Sequence, residues 1–186
     1  MPKYKAGDKV YLKVLTDDMD TGWPGITDEM ISFSEEKKRW VTHYDWKPEF
    51  IQLNGIDLVL WIGGKMYLQN SSDVYNNFFG VQYNSQIETL SNQDPSNIKF
   101  YTSVYLESTD TWSMVATNQF GQETSLLTTD FELNEGVYYA ALLKDSNTPN
   151  LTYPLIEGDD MRCHSMTMIF TNTNTGFVKM FAVTVR

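Results

Sequence analysis

The 186-residue chain has little of what most catalytic and metal sites need. It contains one cysteine, Cys163, and two histidines, His43 and His164, so no internal disulfide is possible and two imidazoles alone do not complete a zinc site. Cys163 and His164 are neighbours, and neighbours on a strand point to opposite faces, which argues against a thiolate and its base. There is no phosphate-binding glycine loop and no nucleophile elbow. The sequence therefore predicts a protein that is not an enzyme and has no metal site and no cofactor.

Basic clusters and long apolar runs are also missing. The chain has 14 basic against 24 acidic residues, a formal net charge of −10, and its only run of three basic residues is 37–39. Such a charge balance disfavours nucleic acid and anionic membranes as partners. No apolar stretch approaches the roughly 20 residues of a bilayer span, and the N-terminus lacks an apolar signal core. We expect a protein without a membrane span, made in a cytoplasm and not exported by an N-terminal signal.

Aromatic residues, in contrast, are abundant, at 14% of the chain. Together with Thr and Val they favour the half-buried surface of a β-sheet. Short runs with a period of two alternate with turn residues, and no βαβ rhythm is present. The predicted fold is mainly β, an antiparallel β-sandwich or barrel-like module with long loops and little helix. We expect a small N-terminal β segment over residues 1–30 and a β-rich domain over residues 31–186.

Turn residues predict the local connections. Gly63-Gly64 predicts a tight hairpin, because both positions can take positive φ without steric cost. The polar run Thr171–Gly176 predicts a second hairpin between two β-like runs. Residues Lys99–Glu107 read as one continuous strand, with Phe100 and Leu106 on the same face. Residues 71–97 read as long loops with one short strand near Gln86–Leu90.

Two kinds of binding site remain open from the residues alone. Trp40, Tyr44 and Trp46 alternate with smaller or polar residues, so they form either a sugar-stacking surface or the core side of a sheet, and the core reading is favoured. The acidic residues Asp18, Asp20 and Glu29 partly match a calcium-loop spacing, but Trp23 stands where that loop needs glycine. The acids on either side of Gly158 read as a solvated turn. A glycoside hydrolase with two carboxylates is also open, although nothing favours it.

Several short motifs follow one another along the chain from about Ser32 to its end. They are Ser32–Trp40 with Tyr44 and Pro48-Glu49, Gly63–Leu68 with Asn70, Asn76–Gly80 with Tyr83 and Ser85, Asn92 with Pro95 and Lys99-Phe100, Trp112, Gly121–Ser125, Phe131, Glu135–Ala140, Asp145 and Gly158–Arg162. This order resembles the tail hub and tail-stabilisation proteins of crAss-like, short-tailed bacteriophages. Cys163 departs from the pattern, which more often has glycine there, and those proteins are longer. The segment Lys5–Tyr11 is instead similar to the first strand of an SH3-like barrel.

The resemblance implies a structural component of the virion in the tail or portal-vertex region, as part of a hub, collar or stabilising assembly. It implies packing against other phage structural proteins, a homo-oligomer or ring, and assembly in the host bacterial cytoplasm. Interface cores are rich in aromatic residues and Met. The candidate interaction residues are Trp40, Tyr44, Trp46, Phe78, Phe79, Tyr138 and Tyr139. The alternative function is a phage module that binds a host glycan or receptor.

Overall fold

A computed structural model of the chain describes residues 10–15, 29–44 and 46–186. The chain divides into two compact units, one ending at Ser72 and the other formed by Asp73–Arg186. Most of the predicted N-terminal β segment, residues 1–30, lies outside the described residues, so that boundary stays a prediction. The calcium-loop residues Asp18 and Asp20 also lie outside them, as does most of the SH3-like segment.

The described part of the first unit contains two antiparallel sheets of three strands each. Their strands are β1 (Val10–Leu15), β2 (Glu29–Ser34) and β3 (Arg39–Tyr44) in one sheet, and β4 (Phe50–Asn54), β5 (Asp57–Ile62) and β6 (Lys65–Leu68) in the other. Gly63 and Gly64 join β5 to β6 with φ values of +58° and +70°. Two successive positive φ values are those of a tight hairpin turn, so the predicted hairpin is confirmed.

The second unit is built mainly from two four-stranded antiparallel sheets. Its strands are β7 (Asn77–Phe78), β8 (Val81–Gln82), β9 (Ser85–Ser91), β10 (Lys99–Phe100), β11 (Ser103–Ser108), β12 (Ser113–Asn118), β13 (Glu123–Leu126), β14 (Glu132–Asn134), β15 (Val137–Ala141), β16 (Arg162–Cys163), β17 (Met166–Asn172) and β18 (Met180–Val185). One sheet has the order β14-β15-β11-β18 and the other β13-β12-β17-β9, while β7 pairs with β8 and β10 with β16. The only α-helix among the described residues is a single turn, α1 (Pro154–Glu157).

The core of the second unit lies between these two sheets. Alternate residues of the central strands are fully buried, as in β17, where Met166, Met168 and Phe170 alternate with more exposed neighbours. Residues from both sheets form one hydrophobic cluster, in which Val104 and Leu106 of β11 join Met114 and Phe170 of the facing sheet. This arrangement is that of a β-sandwich, and the described strands form no closed barrel. The predicted mainly-β fold is therefore confirmed.

Two local predictions for the second unit are wrong. Thr171–Gly176 does not connect a hairpin, because β17 pairs with β12 and β9 whereas β18 pairs with β11 of the other sheet. The segment crosses from one sheet to the facing one. Lys99–Glu107 is also not one strand: the chain leaves β10 at Phe100, buries Tyr101 and enters β11 at Ser103. Phe100 is consequently exposed while Leu106 is buried.

Candidate interaction surface

The three aromatic residues predicted to share a face of β3 fall into two separate groups. In the pairing of β3 with β2, Phe33 lies opposite Trp40 and Ser32 opposite Thr42, so Val41 is an extra residue in β3. Such a bulge interrupts the alternation of side chains. Trp40 packs edge-on against Phe33, with ring centroids 5.2 Å apart, and is 58% exposed.

Tyr44 and Trp46 form the other group. Their rings lie 4.8 Å apart at 54°, and both side chains are half-buried. The sugar-stacking hypothesis requires Trp40, Tyr44 and Trp46 to form one flat and exposed surface. Neither condition is met by this tilted pair, and Trp40 packs with Phe33 instead. The glycan-binding alternative consequently gains no support from this strand.

Phe78 and Phe79 lie in the β7–β8 hairpin, which the sequence reading assigned to a loop. Phe79 and Gly80 form its two-residue turn, with φ values of +54° and +81°. Phenylalanine is uncommon at positive φ, so the usual Asn-Gly signal for such a turn is missing. Phe78 packs on Tyr83 at 6.1 Å, and both Phe78 and Phe79 are half-buried.

Tyr138 and Tyr139 are neighbours on β15 and point to opposite faces. Tyr138 packs against the core cluster. Tyr139 lies on the outer face, where its ring packs at a tilt of 53° against Tyr105 of β11, with ring centroids 5.1 Å apart, and the Arg186 guanidinium lies over Tyr105 at 5.1 Å. Tyr139 therefore belongs to an outer aromatic surface, whereas Tyr138 has a packing role inside the unit.

Further exposed apolar residues lie on the β4-β5-β6 sheet, where the sequence reading singled out none. Phe50 of β4 is exposed and packs edge-on against Trp61 of β5 at 5.2 Å. Met66, which pairs with Trp61, is exposed on the same face, whereas Leu53 is exposed on the opposite face, which carries the fully buried Leu60. The apolar residues within Phe50–Leu53 could have predicted a strand here. Pro48 just before them and the Asn54-Gly55 turn just after them leave too short a run for a clear pattern. An exposed apolar surface of this kind is typical of proteins that pack against partners.

Cys163 and His164 lie among apolar and aromatic side chains of the second unit. Cys163 is fully buried, and burial raises the pKa of its thiol, although a hydrogen bond from Asn118 and the charge of Lys99 act in the opposite direction. A buried neutral thiol is a poor nucleophile. His164 lies 6.1 Å from the Phe120 ring. Among the described residues, no three or more His, Cys, Asp or Glu side chains are grouped to hold a metal ion.

The acids near Gly158 and the buried Asp145 hold loops together. Asp160 forms an ion pair with Lys144. The Asp145 carboxylate accepts hydrogen bonds from the backbone amides of Glu123 (2.9 Å) and Asn147 (3.0 Å). These contacts tie the loop that follows β15 to the edge strand β13. No described helix is long and apolar enough to cross a membrane.

A second polar network fixes the crossing between the sheets. The Asp110 carboxylate accepts hydrogen bonds from Asn172 (3.1 Å) and Asn174 (2.9 Å) and from the amide of Thr111 (2.9 Å). Partial burial opposes ionisation of Asp110, but these three hydrogen bonds outweigh it and hold the carboxyl pKa below its ordinary value. The network anchors the end of β17 to the start of β12 and directs the chain toward β18.

Residues 73–145 match the family model of the Crassvirus muzzle protein C-terminal domain. The match supports a structural protein of crAss-like phages. No curated protein matches the chain. The muzzle-like region, residues 73–145, begins at Asp73, which is also the first residue of the second compact unit.

The folded unit extends beyond the muzzle-like region. Strand β17 lies outside the region, yet it is the neighbour of both β12 and β9 inside its sheet. Among the described residues, β9 pairs with no strand except β17. The muzzle-like region thus supplies both sheets of the sandwich in part, and residues 146–186 complete them.

Proposed function

We propose that this protein is a structural component of the bacteriophage virion in the tail or portal-vertex region, as part of a hub, collar or stabilising assembly. The match of residues 73–145 to a Crassvirus muzzle protein domain carries the proposal. The protein acts through packing against other phage structural proteins, forms a homo-oligomer, and is assembled into the particle in the host cytoplasm.

The surface of the molecule supports a packing role. Both units expose large apolar and aromatic side chains, including Trp40 and Phe50 in the first and Phe120 and Phe181 in the second. Exposed groups of this kind are costly in water and are removed from it when subunits associate. The half-buried pair Tyr105 and Tyr139 adds aromatic surface on an outer sheet face.

The polar groups support a role without catalysis. Asp110, Asp145 and Asp160 are each engaged with neighbouring loop residues. Cys163 is in the core. These three carboxylates therefore have partners that hold the loops between strands.

Mass spectrometry of purified virions tests the proposal. Particles are banded in a density gradient, tails are separated from capsids, and peptides of this chain are quantified in each fraction. We expect the protein in the tail fraction in several copies per particle, with cross-links to other structural proteins. Its absence from banded particles, with presence in the lysate, would contradict the proposal. A protein of the bacterial host, of similar abundance in the lysate, is the control for lysate proteins carried over with the particles.

A further inference from the structure

Within residues 73–186, two strand edges on the same side of the sandwich have no neighbouring strand. Strand β18 is the last strand of one sheet and β9 the last of the other, and both border the same groove. Among the described residues, β18 pairs with β11 alone and β9 with β17 alone. An unpaired edge presents a row of backbone donors and acceptors that fit another strand.

The outward groups of β18 can be identified from its pairing. Arg186 and Ser103 donate backbone hydrogen bonds to each other's carbonyl oxygens, both at 3.0 Å. Hydrogen-bonded and non-hydrogen-bonded pairs alternate in an antiparallel ladder, so the amides and carbonyls of Val185 and Val183 point away from β11. These groups have no partner within residues 73–186.

The opposite side of the sandwich is protected. Strand β13 is covered by the loop after β15: the Glu123 amide donates to Asp145 (2.9 Å), the Thr124 hydroxyl donates to the Leu143 carbonyl (2.9 Å), and the Ser146 amide donates to the Glu123 carbonyl (2.7 Å). Strand β14 is only three residues long and carries Glu132. Short length, charge and coverage are the usual protections of an edge strand. Strand β18 has six uncharged residues and no proline, and no strand within residues 73–186 pairs with its outer side. Strand β9 is seven residues long and carries one charged residue, Glu88.

The groove between β9 and β18 has a volume of about 610 Å³, and none of its thirteen lining residues is charged. The groove thus differs from the chain as a whole, of which 20% is charged and whose net charge is −10. Leu90 and Phe181 stand exposed in it, at 62% and 67%. Thr89 also lines the groove, and its hydroxyl oxygen is buried without a hydrogen-bond partner among the described residues. An occupant therefore brings apolar side chains and backbone polar groups.

We propose that this open edge, defined by β9 and β18, is the contact between two copies of the chain. One extended peptide would pair with one of the two edges. A second copy related by a two-fold axis perpendicular to the sheets presents β18 to β18 and β9 to β9, each antiparallel, so both edges are paired at once. The groove lining adds no like charge between the two copies, and the charged residue of the two edge strands is Glu88 of β9, which lies outside that lining. The inference rests on the proposed homo-oligomer and names its surface.

Two charge substitutions test the inference in the full chain. Phe181→Glu places a carboxylate on the open edge, and Leu133→Glu makes the same kind of change on β14, where Leu133 is 60% exposed. In sedimentation equilibrium, we expect the unmodified protein to form a reversible dimer. Phe181→Glu should weaken it by at least ~10-fold, because each copy then brings a carboxylate into an apolar contact. Leu133→Glu should leave it unchanged, and circular dichroism checks that both variants are folded.

Cross-linking provides a second measurement that leaves Phe181 in place. Thr184→Cys on β18 and Asn134→Cys on β14 each add one exposed thiol, while Cys163 stays buried. A short bismaleimide should join two copies of the Thr184→Cys protein and not of the Asn134→Cys protein.

Three results would overturn the inference. They are a monomer up to roughly 1 mM protein, a dimer equally sensitive to both glutamate substitutions, and cross-links in the virion from β18 to a different protein. Absence of the protein from virions would contradict the proposed function and not this inference, since a chain absent from particles can still dimerise through this edge.

Discussion

The replacement Phe170→Ala tests whether β17, which lies beyond the muzzle-like region, is a central strand of the sandwich. Phe170 is fully buried and lies between Met114 of β12 and Ile87 of β9 in the pairing register. Truncating a buried phenylalanine typically costs about 3–5 kcal/mol, since apolar contact is lost and a cavity remains. Domains of this size are stable by roughly 5–15 kcal/mol. The loss is thus a large fraction of the free energy of unfolding.

The neighbouring residue gives a matched control. Ile169 lies on the same strand, points to the outer face and is 39% exposed. Ile169→Ala should cost about 1 kcal/mol or less, the usual range for a partly exposed strand position. The two variants therefore differ by at least ~2 kcal/mol if the assignment of faces is right.

Cys163 supplies an assay that reports on the second unit alone. It is the chain's only cysteine and is buried in the core cluster, so a brief pulse of thiol reagent labels it only after that unit unfolds. Labelling across a urea series gives the unfolding midpoint for each variant. The reasoning is refuted if Phe170→Ala lowers the midpoint no more than Ile169→Ala does.

Three further outcomes are expected. Gly158→Ala should destabilise the second unit by about 1–3 kcal/mol in the same assay, because an added Cβ would lie 2.4 Å from the Pro154 carbonyl oxygen and 2.5 Å from that of Asp145. Gly176→Ala, whose Cβ would meet only a side-chain oxygen at 3.2 Å, should cost less. Equal costs would contradict the close packing of backbone oxygens around Gly158. The lowered pKa of Asp110 means that its ionised form stabilises the fold above the ordinary carboxyl pKa of 3.8 and that this contribution is lost as pH falls through the folded pKa. Asp110→Asn should therefore reduce the loss of unfolding free energy at acidic pH. An unchanged loss would argue against the hydrogen-bond network of Asp110. Native Cys163 should resist iodoacetamide at pH 8 over hours, since its thiol is buried and its pKa is raised; rapid modification without unfolding would show that the core is open there.

The parts of the fold that follow from local residue chemistry could be predicted from the sequence. Gly63-Gly64 has few alternatives to a tight turn, and the alternating pattern of residues 85–91 is that of a half-buried strand. The mainly-β class follows from many such segments. The turn at Phe79-Gly80 was missed because phenylalanine at positive φ carries no sequence signal.

The pairing of distant strands could not be predicted in the same way. Thr171–Gly176 has the polar composition of a hairpin turn, but its asparagines bind Asp110 and lead the chain across to the facing sheet. Strands of both sheets alternate with the same period, so the pattern does not say which sheet a strand joins. The aromatic face of β3 was divided for a related reason: the extra residue Val41 depends on the register with β2.

For the candidate interaction residues, too, one part could be predicted from the sequence and another depends on strand pairing. Composition predicts that aromatic residues matter for packing, but Tyr138 and Tyr139 have opposite roles because one faces the core and the other faces outward. The open edge formed by β9 and β18 carries no motif at all. It arises because two strands separated by about ninety residues end their sheets on the same side.

Cryo-electron microscopy of the intact virion tests the central claim most directly. If the protein is a structural component of the tail or portal-vertex region, the two-sheet sandwich of residues 73–186 fits density there at repeated positions, in contact with other structural proteins. A complete map in which every tail and portal-vertex density is assigned to other chains would contradict it.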